Sequence, residues 1–184
     1  WDLWFEPYGV FTDIEGRQGA SDLDTLRAGA AFGGEWRPFR GGALAGTQVG
    51  AALAYGYGDV DFDDRDGTAS AHTVLGALYG GYATERARVG ASARIGYSSM
   101  QSDRTIAIGT DVRRATADFG GLDLGARVEA GVLALATESW HLEPYASVAY
   151  THLEREAFRE SAGGAVGLAV ARETVDSVLV GAGT

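Results

Sequence analysis

The chain has 184 residues, room for one domain, with a formal net charge of −10, 28 glycines, three prolines and no cysteine. The acidity argues against nucleic acid as a partner, and the missing cysteine excludes disulfides, thiolate catalysis and zinc–cysteine centres. No run of 18 apolar residues occurs, so a transmembrane helix is excluded as well.

All fifteen basic residues are arginine, and neither lysine nor asparagine occurs, which reads as the mark of a GC-rich genome rather than of a site. Mean hydropathy is close to zero, the value that alternating apolar and polar faces produce by cancelling. The chain opens on Trp1-Asp2-Leu3-Trp4 without the basic flank of a signal peptide, so it is expected to be excised from a longer precursor.

Residues 1–12 are aromatic-rich (Trp1, Trp4, Phe5, Tyr8, Phe11) and predict a first strand. Trp and Tyr favour the bilayer–water boundary, where a ring is half apolar and half wet. After a polar loop, 13–22, a second strand over 23–33 sets Leu26, Ala28, Ala30 and Phe32 against Thr25, Arg27, Gly29 and Ala31. The connection 34–47, with Trp36, Pro38 and Phe39, is longer than a tight turn. A third strand, 48–58, places Val49, Ala51, Leu53, Tyr55 and Tyr57 on one face and Gly50, Ala52, Ala54, Gly56 and Gly58 on the other. A glycine face weakens a strand, and it makes sense where something must pass close to that wall.

The fourth strand, 70–82, is interrupted by Gly76 and Gly80-Gly81, and a short turn at 83–87 follows. The fifth, 88–98, alternates Val89, Ala91, Ala93, Ile95 and Tyr97 with Arg88, Gly90, Ser92, Arg94 and Gly96. The sixth, 122–136, alternates Leu122, Leu124, Ala126 and Val128 with Asp123, Gly125, Arg127 and Glu129. A turn at 137–139 leads into 140–153, the clearest pattern of the chain. There Leu142, Pro144, Ala146, Val148 and Tyr150 oppose Glu143, Tyr145, Ser147, Ala149 and Thr151. The eighth, 168–183, ends in Val178, Val180 and Ala182 against Ser177, Gly181 and Gly183.

Long polar stretches are expected at 59–69, 99–121 and 153–167, while the fourth–fifth and sixth–seventh connections are tight. Long loops on one side and short turns on the other are how outer-membrane barrels are built, and both termini then fall on the periplasmic side. A soluble sandwich would alternate equally well, but its core needs larger residues than these Ala- and Val-rich faces supply. The pattern therefore favours an all-β, antiparallel, up-and-down transmembrane β-barrel with about eight strands present. Arg27, Arg88, Arg94, Arg127, Glu129 and Glu143 are expected to face its lumen. Tyr55, Tyr97, Trp140 and Tyr150 are expected to seat it at the membrane interface.

Three motifs admit sharper readings, and each has a simpler one. Asp59, Asp61 and Asp63 begin a calcium-loop spacing, but Asp64 stands where Gly is required and Ser70 where Glu is required, so the stretch reads as a solvated acidic loop. Glu129 and Glu143 on adjacent strands could form an acid–base pair. If Glu129 lies opposite Ser147, Glu143 is four residues away, about 13 Å along the strand at ~3.3 Å per residue. That exceeds the roughly 5–9.5 Å of glycosidase carboxylates, and a lumenal charge network is the better reading. His72, His141 and His152 are too scattered for a metal site, and Ser98-Ser99 has no nucleophile-elbow context. No catalytic group, cofactor or metal is expected.

Leu142-Glu143-Pro144-Tyr145-Ala146 through Tyr150, followed by Phe158-Arg159-Glu160 and Ala169-Val170-Ala171, resembles the autotransporter β-domain, the translocator of type V secretion. So, in order, do Gly50–Gly56, the acidic loop Asp59–Gly67, Tyr79-Gly80-Gly81-Tyr82 and Val128-Glu129-Ala130-Gly131. The resemblance implies a barrel in outer-membrane lipid, inserted by the barrel-assembly machinery, that exports or anchors its own N-terminal passenger. It also implies a linker helix threading the pore past Glu129 and Glu143. The family barrel has twelve strands, so residues 1–184 are expected to be one barrel domain truncated at both ends, and to close poorly alone. The alternatives are a self-contained eight-stranded anchor or adhesin and an outer-membrane hydrolase.

Overall fold

The computed structural model describes residues 1–14, 23–62, 67–137, 141–161 and 164–184. Its strands in chain order are β1 (Asp2–Ile14), β2 (Leu23–Trp36), β3 (Thr47–Phe62), β4 (Gly67–Ala83), β5 (Ala87–Ile108), β6 (Asp111–Val132), β7 (Leu135–Ala136), β8 (His141–Leu142), β9 (Tyr145–Arg155), β10 (Phe158–Arg159), β11 (Ala169–Val170) and β12 (Glu173–Gly183). Eight of them form one sheet in the order β1-β2-β3-β4-β5-β6-β9-β12, each antiparallel to the next. The pairs β7–β8 and β10–β11 are two-residue ribbons beside it. The start of β1 and the end of β12 lie at the same end of the sheet, the end with the tight fourth–fifth connection.

Strict alternation decides what each face carries. Phe32, Leu53, Gly76, Ile95 and Leu124 follow one another across five strands in register, so they share a face. That face has no protein packed on it: Leu53 is 60% and Ile95 58% exposed, and Val178 on the last strand is 67% exposed. Among the described residues the buried apolar side chains are Ala115 and Ala117 alone. A soluble sandwich buries one face of each of two sheets against the other. Here there is one sheet and no such core, so the sandwich expectation is set aside. An apolar face of this extent needs a solvent other than water.

Several predicted boundaries move, and each for a local reason. The stretch 99–121 is not a loop but the outer halves of β5 and β6, each 22 residues long, which meet at Gly109-Thr110. At ~3.3 Å per residue these strands run about 70 Å, about twice the bilayer's need of roughly ten residues. Gly109 has φ 63, which opens the left-handed region the two-residue turn uses. Likewise β3 runs on to Phe62 and β4 begins at Gly67, so most of 59–69 is strand; Asp63, Asp64 and Asp66 lie outside the described residues. β6 stops at Val132 rather than 136, and β9 starts at Tyr145 rather than 140. Pro144 has no N–H to give the ladder, and its carbonyl instead accepts from the Val132 N–H at 3.0 Å.

The segment between β9 and β12 folds back on the long hairpin. Ser161 bridges to Thr116, with N–H···O distances of 2.8 and 3.3 Å. Phe158 stacks on Phe119 at 4.3 Å, with the Arg155 guanidinium 5.8 Å over the Phe158 ring. Glu160 receives both fork nitrogens of Arg104, at 2.6 and 2.7 Å. This strap lies over the stretch of β6 that holds buried Ala115 and Ala117.

Candidate functional site: the polar face of the sheet

The face opposite the apolar one carries glycine, small residues and charge. Register puts Arg27 opposite Gly58, Arg94 opposite Gly125, Arg127 opposite Ser92 and Glu129 opposite Gly90. Long charged side chains thus lie over neighbours without bulk. A Cβ at Gly125 would come within 2.8 Å of the Arg94 Nε, which shows how closely that side chain hugs the sheet.

Five of the six predicted charges are linked there. Arg94 binds Asp123 through two contacts, 3.0 and 3.4 Å. Arg88 reaches Glu129 at 3.1 Å and donates its Nε–H to Glu143, and Arg127 binds the second oxygen of Glu129 at 2.5 Å. The expected register holds, with Glu129 opposite Ser147. The two carboxylates nevertheless meet at one guanidinium, because Arg88 stands opposite Gly131, itself opposite Tyr145, and so reaches Glu129 on one side and Glu143, in the connection before β9, on the other. Arg27 is on the same face and makes no ion pair among the described residues. These pairs are half-exposed and open to solvent screening, so Arg94→Gln is expected to change unfolding free energy by no more than about 1 kcal/mol in a denaturant titration.

Sequence reasoning missed a second layer on this face. The Trp4 indole N–H donates to the Tyr79 hydroxyl at 3.0 Å, and Tyr79 donates to Glu35 at 3.2 Å. Gln48 completes the chain by donating to the other Glu35 oxygen. Beneath these rings the sheet is hollowed by glycine. A Cβ at Gly33 would meet the Trp4 ring at 2.3 Å, one at Gly50 the Tyr79 ring at 2.4 Å, and ones at Gly29 and Gly56 the Tyr8 hydroxyl at 2.4 and 2.5 Å. The glycine wall of β3 was expected to leave room for a passing chain. At these positions the room is filled by the protein's own aromatics. The signal lay in the register, Trp4 opposite Gly33 and Tyr8 opposite Gly29, which no single strand displays.

The aromatics Tyr55, Tyr97 and Tyr150 are exposed on the apolar face; Trp140 lies outside the described residues. Tyr55 is hydrogen-bonded to His72 Nδ1 at 2.7 Å, and the Tyr57 ring lies 5.0 Å from the same imidazole. The Tyr150 hydroxyl donates to Asp176, which also binds His152 Nδ1 at 2.9 Å. At the opposite end of the apolar face, Trp1 stacks on Trp36 at 5.8 Å, a pair the sequence reading did not single out. No group of three potential ligand residues that could hold a metal occurs among the described residues.

Comparison with known proteins places this architecture. The chain resembles the translocator domain of the autotransporter NalP from Neisseria meningitidis with a TM-score of 0.68 at 14% identity, over 98% of this chain and 58% of that one. It resembles the beta domain of the Bordetella autotransporter BrkA with a TM-score of 0.63 at 20% identity, over 98% of this chain and 68% of that one. At such identities the likeness is one of fold, and the chain spans little more than half of the NalP domain. No curated protein matches it significantly by sequence. The sequence model of the autotransporter beta-domain family, however, matches residues 3–184. This chain belongs to the autotransporter beta-domain family.

Proposed function

We propose that the chain forms most of an outer-membrane barrel that exports or anchors a passenger carried on the same polypeptide. The supporting observation is the pairing of a coreless, exposed apolar face with a charged, glycine-lined one in a sheet of family topology. The apolar face meets lipid, and the polar face, with Arg27, Arg88, Arg94, Arg127, Glu129 and Glu143, lines a hydrated lumen. Tyr55, Tyr97 and Tyr150 mark one membrane boundary. The work is physical rather than catalytic: the sheet satisfies its backbone in lipid, and the lumen lets a polar chain pass.

The sheet's two edges, β1 and β12, complete this reading. An open edge in hydrocarbon leaves a row of unpaired N–H and C=O groups, each costing several kcal/mol. Further strands of the same barrel therefore close it between β12 and β1, with the termini described here facing the periplasm. Insertion by the barrel-assembly machinery and a linker helix in the lumen belong to the same proposal.

The test is a pair of arginine substitutions on opposite faces of the full-length protein, read by membrane insertion and by passenger exposure on cells. Leu53→Arg places a charge on the apolar face and is expected to cost about 2–4 kcal/mol at mid-bilayer depth, enough to block insertion and display. Ser147→Arg, on the polar face, is expected to leave both intact. Equal tolerance of the two would overturn the assignment of faces.

A further inference from the structure

The rim with the tight fourth–fifth turn also carries the connection between β2 and β3, residues 37–46, which is too long to be a turn. It is held in place. The Ala45 N–H donates to the Gly42 carbonyl at 3.2 Å and the Thr47 N–H to the Leu44 carbonyl at 3.0 Å, with Gly42 at φ 78. The Tyr82 hydroxyl donates to the Ala43 carbonyl at 2.6 Å, and the Ala83 N–H to the Gly46 carbonyl at 3.0 Å. Tyr82 pairs with Val89 on the apolar face, so the loop is pinned at the border of that face.

What the loop presents is amphiphilic. Phe39 and Leu44 are 43% and 51% exposed, in the loop that follows Trp36 and its stacked partner Trp1. Arg37 and Arg40 flank Phe39, are exposed, and make no ion pair among the described residues. No acidic residue occurs from 36 to 48, in a chain whose net charge is −10. The opposite rim contrasts with it, carrying Asp59, Asp61, Asp103 and Asp111 on its hairpins.

We propose that residues 37–46 are an interfacial anchor. Phe39 and Leu44 enter the acyl boundary, and Arg37 and Arg40 bind the phosphates of anionic phospholipids. The inference rests on the reading that the apolar face meets lipid. It adds a headgroup preference that a barrel seated by its apolar band alone would not show. Clustered arginines beside apolar side chains at a membrane surface gain from both burial and attraction to negative headgroups.

The full-length protein, refolded from denaturant, is offered phosphatidylcholine vesicles with and without phosphatidylglycerol, and association is followed by tryptophan emission. Insertion is followed separately by the mobility difference between unheated and boiled samples. The native sequence is expected to associate more tightly with phosphatidylglycerol vesicles, by about five-fold per arginine, in a salt-sensitive way. Arg37→Gln with Arg40→Gln should abolish that preference while insertion persists, and Arg37→Lys with Arg40→Lys should restore it. A preference that survives the glutamine pair, or none in the native protein, would overturn the anchor and leave the barrel standing. Failure of every form to insert in either vesicle would instead overturn the barrel, and the anchor with it.

Discussion

Gly29→Ala is expected to cost about 3 kcal/mol or more, whereas Gly56→Ala, one strand away under the same tyrosine, should cost about 1 kcal/mol. Both glycines lie beneath Tyr8. A Cβ at Gly56 would meet only the end of a side chain closely, the Tyr8 hydroxyl at 2.5 Å, and that ring can tilt. A Cβ at Gly29 would meet the same hydroxyl at 2.4 Å and also the Tyr55 carbonyl oxygen at 2.4 Å. That oxygen belongs to the β2–β3 ladder, and moving it breaks strand pairing. The difference is therefore between a side chain that gives way and a backbone that cannot.

Tyr8→Phe separates the two causes, because it removes the hydroxyl and keeps the ring. In that background Gly56→Ala should become nearly neutral, while Gly29→Ala should stay severe. Urea unfolding of the full-length protein in detergent, with heat-dependent gel mobility as the fold readout, measures both. Equal costs for the two glycines, or relief of both by Tyr8→Phe, would show that the Tyr55 carbonyl does not limit the space at Gly29.

The second large effect is expected at the strap. The Glu160 carboxylate is 4% exposed, accepts both fork nitrogens of Arg104, and also accepts the Leu168 N–H at 2.7 Å. Arg104 further donates to the Val166 carbonyl at 3.3 Å, so one guanidinium ties both limbs of the strap to β5. The Arg104 hydrogen bonds hold the Glu160 carboxyl below the ordinary carboxylate range. The Leu168 N–H adds to this, and burial opposes it. A carboxyl whose folded value is depressed contributes its stability above the unfolded value, near ~4.3, and loses it as pH falls through the lower folded value. The strap should therefore be protected at neutral pH and open in acid, below pH ~4.

Amide exchange or limited proteolysis across 156–170 follows the opening. Glu160→Gln leaves an amide that cannot pair with the guanidinium as a charge. It should raise exchange at neutral pH by an amount equivalent to about 1.5 kcal/mol, the low end for a charge-assisted bond because Arg104 is partly exposed. It should also flatten the acid dependence. If native and variant straps open equally and at the same pH, Phe158 on Phe119 and the Ser161–Thr116 bridge hold the segment without the ion pair.

Legibility along the chain followed solvent contrast. Where one face meets an apolar environment and the other water, the period of two is written into the residues. Parity then placed Arg27, Arg88, Arg94, Arg127 and Glu129 on one face and Tyr55, Tyr97 and Tyr150 on the other. Beyond Tyr97 and Leu122 the face that carried Ile95 and Tyr97 turns polar, with Ser99, Gln101 and Asp103, while the opposite face holds Met100, Phe119 and the buried Ala115 and Ala117 among Ser98, Ser102 and Arg104. The apolar run on the outward face ends there although the strands continue, and the stretch reads as a loop. Hydrophobic pattern reports burial contrast, and backbone hydrogen bonding needs none.

The sequence by itself therefore determined the strands that cross, the side of the sheet each residue takes, and the family, because these depend on local alternation and on ordered short motifs. Only the tertiary structure decided which residues touch. It set Tyr8 over Gly29 and Gly56, gathered Glu129 and Glu143 onto Arg88, and brought Glu160 back to Arg104 from 56 residues away. Those contacts depend on register between strands and on where Pro144 interrupts the ladder. A one-residue slip would keep each strand's own alternation while changing every partner across the sheet.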